Sequence, residues 1–76
     1  METCDIVIQL PALVSTVTYV VDGVKTTVTG KDSVTLKGLP KNSDVPVSVQ
    51  PQTLPITLRF IYVIRHDCSF DFRIVT

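Results

Sequence analysis

Thr16-Val17-Thr18-Tyr19-Val20-Val21-Asp22-Gly23-Val24-Lys25-Thr26-Thr27-Val28-Thr29 decides the fold class of this chain. Asp-Gly between two β-branched runs favours a two-residue type I′ turn, which needs positive φ at both central positions. Such a turn fixes the register, so Val21 faces Val24, Tyr19 faces Thr26 and Val17 faces Val28. Side chains alternate across a strand. One face of the hairpin is therefore Val17, Tyr19, Val21, Val24, Thr26 and Val28, a core face. The other is Thr16, Thr18, Val20, Lys25, Thr27 and Thr29, a threonine ladder suited to water or a flat partner.

The rest of the chain reads the same way. It holds 13 Val, 10 Thr and 6 Ile, types that fit a pleated, half-buried surface. No window places apolar residues at i, i+3, i+4 and i+7, so no helix is expected. Upstream, Cys4 to Leu10 forms a strand with Ile6, Ile8 and Leu10 on one side. Downstream, Gly30-Lys31-Asp32-Ser33 is a turn, and Val34 to Leu39 is a strand ended by Gly38, Pro40 and the polar cluster Lys41 to Asp44. In the next strand Val45, Val47 and Val49 alternate with Pro46 and Ser48. Proline cannot donate to a ladder, so this strand is expected at a sheet edge, or paired on one side only. Pro51 and Pro55 make 50–55 an extended crossover between two sheets.

Ile56 to Arg65 is the longest strand, and a short turn at His66-Asp67-Cys68 leads into Ser69 to Thr76. A three-residue loop pairs Ile64 with Phe70, Tyr62 with Phe72 and Phe60 with Ile74. Four of the five aromatics then share one face, taken here as core. The back of this pair carries Arg59, Ile61, Val63, Asp71, Arg73 and Val75. That mixture makes it the candidate protein-contact face. About seven short strands with frequent turns imply an all-β, antiparallel two-sheet sandwich in one domain, 1–76, with a small barrel as the competing architecture. Two sheets closing over one core should leave no cavity for chemistry.

Ser33-Val34-Thr35-Leu36-Lys37-Gly38-Leu39-Pro40, then Asn42-Ser43-Asp44 and Val45-Pro46-Val47-Ser48-Val49, resembles the paired late strands of fibronectin type III and related immunoglobulin-like modules. The match covers about a quarter of the chain. It departs from those modules in having no tyrosine clasp near Val45 and no tryptophan. The resemblance implies an Ig-like sandwich and carries over no functional residue. In size and class the chain also resembles decoration modules on viral capsids.

Charged residues make up 18% and hydrophobic ones 45%, with a mean hydropathy of +0.37. A typical soluble domain is about 25% charged. The thin charge layer leaves apolar surface that a small core cannot hold, and such patches mark protein contacts. A non-catalytic subunit of a larger assembly is therefore expected, with a small module recognising a surface ligand, or a small inhibitor docking through the Val45–Val49 edge strand, as alternatives. Partners are expected to be protein, either further copies of the chain or a capsid-like lattice. Seven basic residues balance seven acidic ones, so nothing favours nucleic acid or an anionic membrane. Glu2, Asp5 and Pro11 are unlike a signal peptide, and no run approaches the ~20 apolar residues of a spanning helix. Cytosolic synthesis without a signal peptide is expected, with a virion as one destination. Met1 opens the chain, which reads as a whole gene product.

Chemistry has few candidates. His66, Asp67 and Cys68 are adjacent in a tight turn and point apart, whereas catalysis needs groups converging in a pocket. Cys4, Cys68, His66 and Asp67 could supply four metal ligands, but the paired spacing of structural zinc sites is missing. Neither an enzyme, a metal nor a cofactor is expected. A Cys4–Cys68 disulfide would close ~65 residues and add about 3–4 kcal/mol. Cytosolic synthesis favours the alternative, two reduced thiols buried as small hydrophobes.

Overall fold

The computed structural model describes residues 2–11 and 13–75. Seven strands follow one another: β1 (Thr3–Gln9), β2 (Ser15–Val21), β3 (Val24–Gly30), β4 (Ser33–Pro40), β5 (Ser43–Pro51), β6 (Leu58–Ile64) and β7 (Phe70–Ile74). They form two antiparallel sheets facing each other, one of β1 and β4, the other in the order β3-β2-β5-β6-β7. The all-β sandwich read from the sequence is the fold found. Thr76, the expected end of the last strand, lies outside the described residues.

The decisive hairpin has the expected register throughout, Val21 against Val24 to Ser15 against Gly30. Asp22 and Gly23 have φ of 51° and 78°, as a type I′ turn requires. The β6–β7 hairpin is also as expected, with Ile64 opposite Phe70, Tyr62 opposite Phe72 and Phe60 opposite Ile74. Cys68 closes its turn in the left-handed region, φ 68°, where a residue with a Cβ is uncommon.

Strand order departs from expectation. Val45, Val47 and Val49 do not lie on an edge strand: β5 is the middle of the five-stranded sheet, between β2 and β6. The proline is accommodated because the β2 ladder begins at Val47, opposite Tyr19, and Pro46 is paired only with Ile61 of β6. No N–H is missed on the side where none is called for. β4 and β5 lie in different sheets; the chain passes between them at Lys41-Asn42, with Asn42 at φ 57°. Segment 50–55 is no crossover between sheets. Its first two residues end β5, and the rest belongs to the loop joining β5 to its neighbour β6, tethered by the Gln52 N–H donating to the Val14 carbonyl at 2.9 Å.

Gly38, expected to help end a strand, lies inside β4. The β1–β4 register slips between Cys4 opposite Leu39 and Ile6 opposite Leu36, so β4 carries one extra residue there. Gly38 takes φ 74° at this bulge. The slip resets the alternation, so that Leu36 and Leu39 both point inward and have no exposed surface. The bulge's backbone groups are satisfied by side chains. The Lys37 N–H donates to the Tyr19 hydroxyl at 3.1 Å, and that hydroxyl lies 3.3 Å from the Lys37 carbonyl it donates to. The Gly38 N–H donates to Asp5 Oδ1 at 3.0 Å. Tyr19→Phe is expected to cost about 1 kcal/mol in chemical denaturation, with faster amide exchange at Lys37. Unchanged exchange there would show that the hydroxyl does not hold the bulge.

The core lies between the sheets. Cys4, Ile6 and Ile8 of β1 and Val34, Leu36 and Leu39 of β4 pack over Val17, Tyr19, Val45, Val47, Val49, Tyr62 and Ile64. β4 touches β2, β3 and β5. β1 lies beyond it toward β6, where Cys4 is bonded to Cys68 of the β6–β7 turn. Two strands cannot cover five: the shortfall falls at β6 and β7, and at the start of β3, where Val24, expected on the core face, is 65% exposed.

Candidate functional site

Ordering of the β6–β7 hairpin puts two different surfaces on its two sides. The outer side gathers the residues singled out from the sequence. Ile61 stands opposite Arg73 and Val63 opposite Asp71, and the Val75 N–H donates to the Arg59 carbonyl at 2.9 Å. Ile61 and Val63 are half-buried and the other four are exposed. Asp71 forms an ion pair with Arg65, and Arg65 Nη1 donates to Ser69 Oγ at 3.1 Å. The face exists as an assembled surface, with its acidic member neutralised locally.

The inner side was expected to be closed core, and it is only partly so. Tyr62 and Ile64 are buried, but Phe72 is 57% exposed and Ile74 67%. The rings form a connected cluster: Phe60 lies edge-on to Phe72 with centroids 5.6 Å apart, and Tyr62 stacks on Phe72 at 5.4 Å. Beside them runs a notch of about 240 Å³, walled by Val7, Ile8, Gln9 and Pro11 on the β1 side and floored by Val49, Leu58, Phe60, Tyr62, Phe70 and Phe72. None of these carries a charge. The expectation of a closed, cavity-free core is corrected here: alternation put these side chains on the inner face, but the opposing sheet is too narrow to reach them.

Burial raises the Tyr62 phenol above its usual 10.0, because a phenolate is poorly solvated between the sheets. A raised folded-state value favours the native state as long as the phenol is neutral, and this contribution is lost as pH rises past the unfolded value. Wild-type protein is expected to lose stability above about pH 10 more steeply than Tyr62→Phe, as followed by denaturant midpoints against pH. Parallel curves would remove Tyr62 from the alkaline transition.

One bond joins two of the remaining candidates. Cys4 and Cys68 form a disulfide with Cα atoms 5.6 Å apart, inside the usual 4.4–6.8 Å range. The expected pair of reduced thiols is corrected: β1 runs beside the β6–β7 turn, which the sequence left open. Bonded sulfurs supply neither a nucleophile nor thiolate ligands. His66 and Asp67 are exposed. The Ser69 hydroxyl and N–H donate to Asp67 Oδ1 at 2.6 and 3.0 Å and lower its carboxyl's pKa, a turn-closing role. Among the described residues no three His, Cys, Asp or Glu side chains converge as a metal site. A second, open depression lined by Thr16 and residues 50–55 has no ionisable side chain.

No protein family matches this chain, and no curated protein or solved structure matches it significantly. Its geometry is the ground for a functional reading.

Proposed function

We propose that this chain is a non-catalytic structural subunit of a larger protein assembly, and that the assembly is a virus particle on which it serves as a decoration or minor structural protein. The observation that carries the reading is the uncovered apolar face of β6 and β7, with Leu58, Phe72 and Ile74 open to solvent. Free-standing domains rarely leave such a patch unless it binds something. The outer face around Arg59, Ile61 and Arg73 adds a second contact surface of the mixed kind found at interfaces. The disulfide supports the particle setting, since such bonds persist on virion and cell surfaces and are rare in the cytosol. A chain made in the cytosol and carried out on a particle meets both conditions.

The same reading takes the architecture as immunoglobulin-like. What supports it is strand order: β6-β5-β2-β3 opposite β1-β4 corresponds to strands G, F, C and C′ opposite B and E. On this correspondence β7 is an addition, and no described strand occupies the place of strand A, beside β1.

Mass in solution across a concentration series, together with co-sedimentation with virus particles from the same source, tests the proposal. Oligomers, or saturable particle binding, are expected. A clean monomer at high concentration that leaves particles unbound would sink it. Docking of a small inhibitor through Val45 to Val49 is not open to this chain, since both sides of that strand are occupied over most of its length.

A further inference from the structure

The notch has two walls of different chemistry, and together they specify what fits. The floor is apolar. The side wall is the edge of β1 away from β4, its one strand neighbour among the described residues. The phase of that edge can be read. The Leu10 N–H donates to the Asp32 carbonyl at 2.7 Å, and Ile8 and Ile6 stand two and four residues before it, opposite Val34 and Leu36. Backbone groups alternate in direction along an antiparallel strand, so those of Val7 and Gln9 point the other way, into the notch. Among the described residues neither has a backbone partner on that side.

We propose that the notch is an acceptor site for one β-strand donated by a different polypeptide, an extended segment with uncharged aliphatic side chains at alternate positions. The donor pairs with β1 through Val7 and Gln9 and lays its alternate side chains on Leu58, Phe60 and Phe72. A helix or a lipid chain would cover the floor, but neither has free backbone groups to offer the β1 edge; an added strand satisfies both walls at once. Width argues likewise. Strands in a sheet lie about 4.8 Å apart, and a two-stranded sheet over a five-stranded one leaves room for a strand or two, not for a domain. None of the seven described strands is free to fill the notch, since each already lies in one of the chain's own sheets, and a second copy would bring only strands built in the same way. With no charge in the lining, a charged inward residue on the donor would be buried without a partner. The proposal rests on the assembly reading for the existence of a donor and names the site at which it acts.

A displayed library of seven-residue peptides, the length of β1, with Val, Ile or Leu at alternate positions tests it. Selected peptides would be measured on wild-type protein, Val7→Pro, Phe72→Lys and Arg73→Glu. Val7→Pro removes an N–H that the fold leaves unpaired, a place where strands tolerate proline. Phe72→Lys alters an exposed side chain, so it reports even if the proline variant fails to fold. Binding is expected to weaken at least about tenfold on the first two variants and by less on Arg73→Glu, which alters the outer face, with Val7 and Gln9 amides protected from exchange in the complex. Failure to select any alternating peptide, or loss on Arg73→Glu with Phe72→Lys unaffected, would overturn the proposal. Self-association abolished by Phe72→Lys would also overturn it, by placing a second copy in the notch. Assembly that persists unchanged in Phe72→Lys, with no peptide bound, defeats the acceptor site and leaves the assembly reading standing. A monomer that takes the peptide yet leaves virus particles unbound does the reverse.

Discussion

Replacing Cys4 and Cys68 with alanine is expected to lower the unfolding free energy by about 4 kcal/mol. The bond joins residues 64 apart, so it closes most of the chain into one loop and removes much of the unfolded ensemble's freedom. A domain of 76 residues typically has about 4–11 kcal/mol in all. The variant is therefore expected to be marginal or unfolded at room temperature, and the wild type treated with a strong reductant should follow it. A second variant separates the bond from its local geometry. Cys68 sits at φ 68°, where a side chain costs about 1–2 kcal/mol. Cys4→Ala with Cys68→Gly should recover part of the loss seen with Cys68→Ala. Denaturant melts of oxidised, reduced and substituted protein read all of this directly. A reduced protein as stable as the oxidised one would show that the sheets hold the termini together without the bond.

Short-range chemistry made the hairpins legible in the sequence. Asp22-Gly23 and His66-Asp67-Cys68 each fix a register within a few residues, and from those registers the Val17–Tyr19 face and the Phe60–Phe72 cluster follow. Strand order did not follow, because it depends on contacts between distant segments. Pro46 pointed to an edge, yet one missing donor constrains a single position of a ladder, and the β2 ladder simply begins one residue later. Gly38 looked like a terminator and is a bulge; the visible signal was Leu36 and Leu39, three apart, which cannot both face inward on a regular strand. The candidate site was half legible. Periodicity placed the outer face from Arg59 to Val75 correctly. It also assigned Phe72 and Ile74 to the inner side, but periodicity reports which side a residue faces, not how far the opposite sheet extends. A compartment argument favours reduced thiols at Cys4 and Cys68, whereas packing brings them together: β1 passes beside the β6–β7 turn.

Leu36→Ala should cost about 3 kcal/mol, while Ile74→Ala should cost less than about 0.5 kcal/mol. Both remove aliphatic carbon from an inward-facing position, so the contrast isolates coverage from pattern. Leu36 has no exposed surface and sits where β4 is pressed onto the large sheet, and its loss leaves a cavity the neighbours cannot fill. Ile74 is 67% exposed and has little contact to lose in the free chain. The same substitution at Ile74 should become costly only when something lies on the β6–β7 face. Unfolding midpoints measured with increasing amounts of a selected peptide separate the cases, because stabilisation by a bound partner depends on that partner's concentration and intrinsic packing does not. Equal losses at Leu36 and Ile74, at all concentrations, would mean that the face is packed within the single chain, and the argument for a partner would then lose its physical basis.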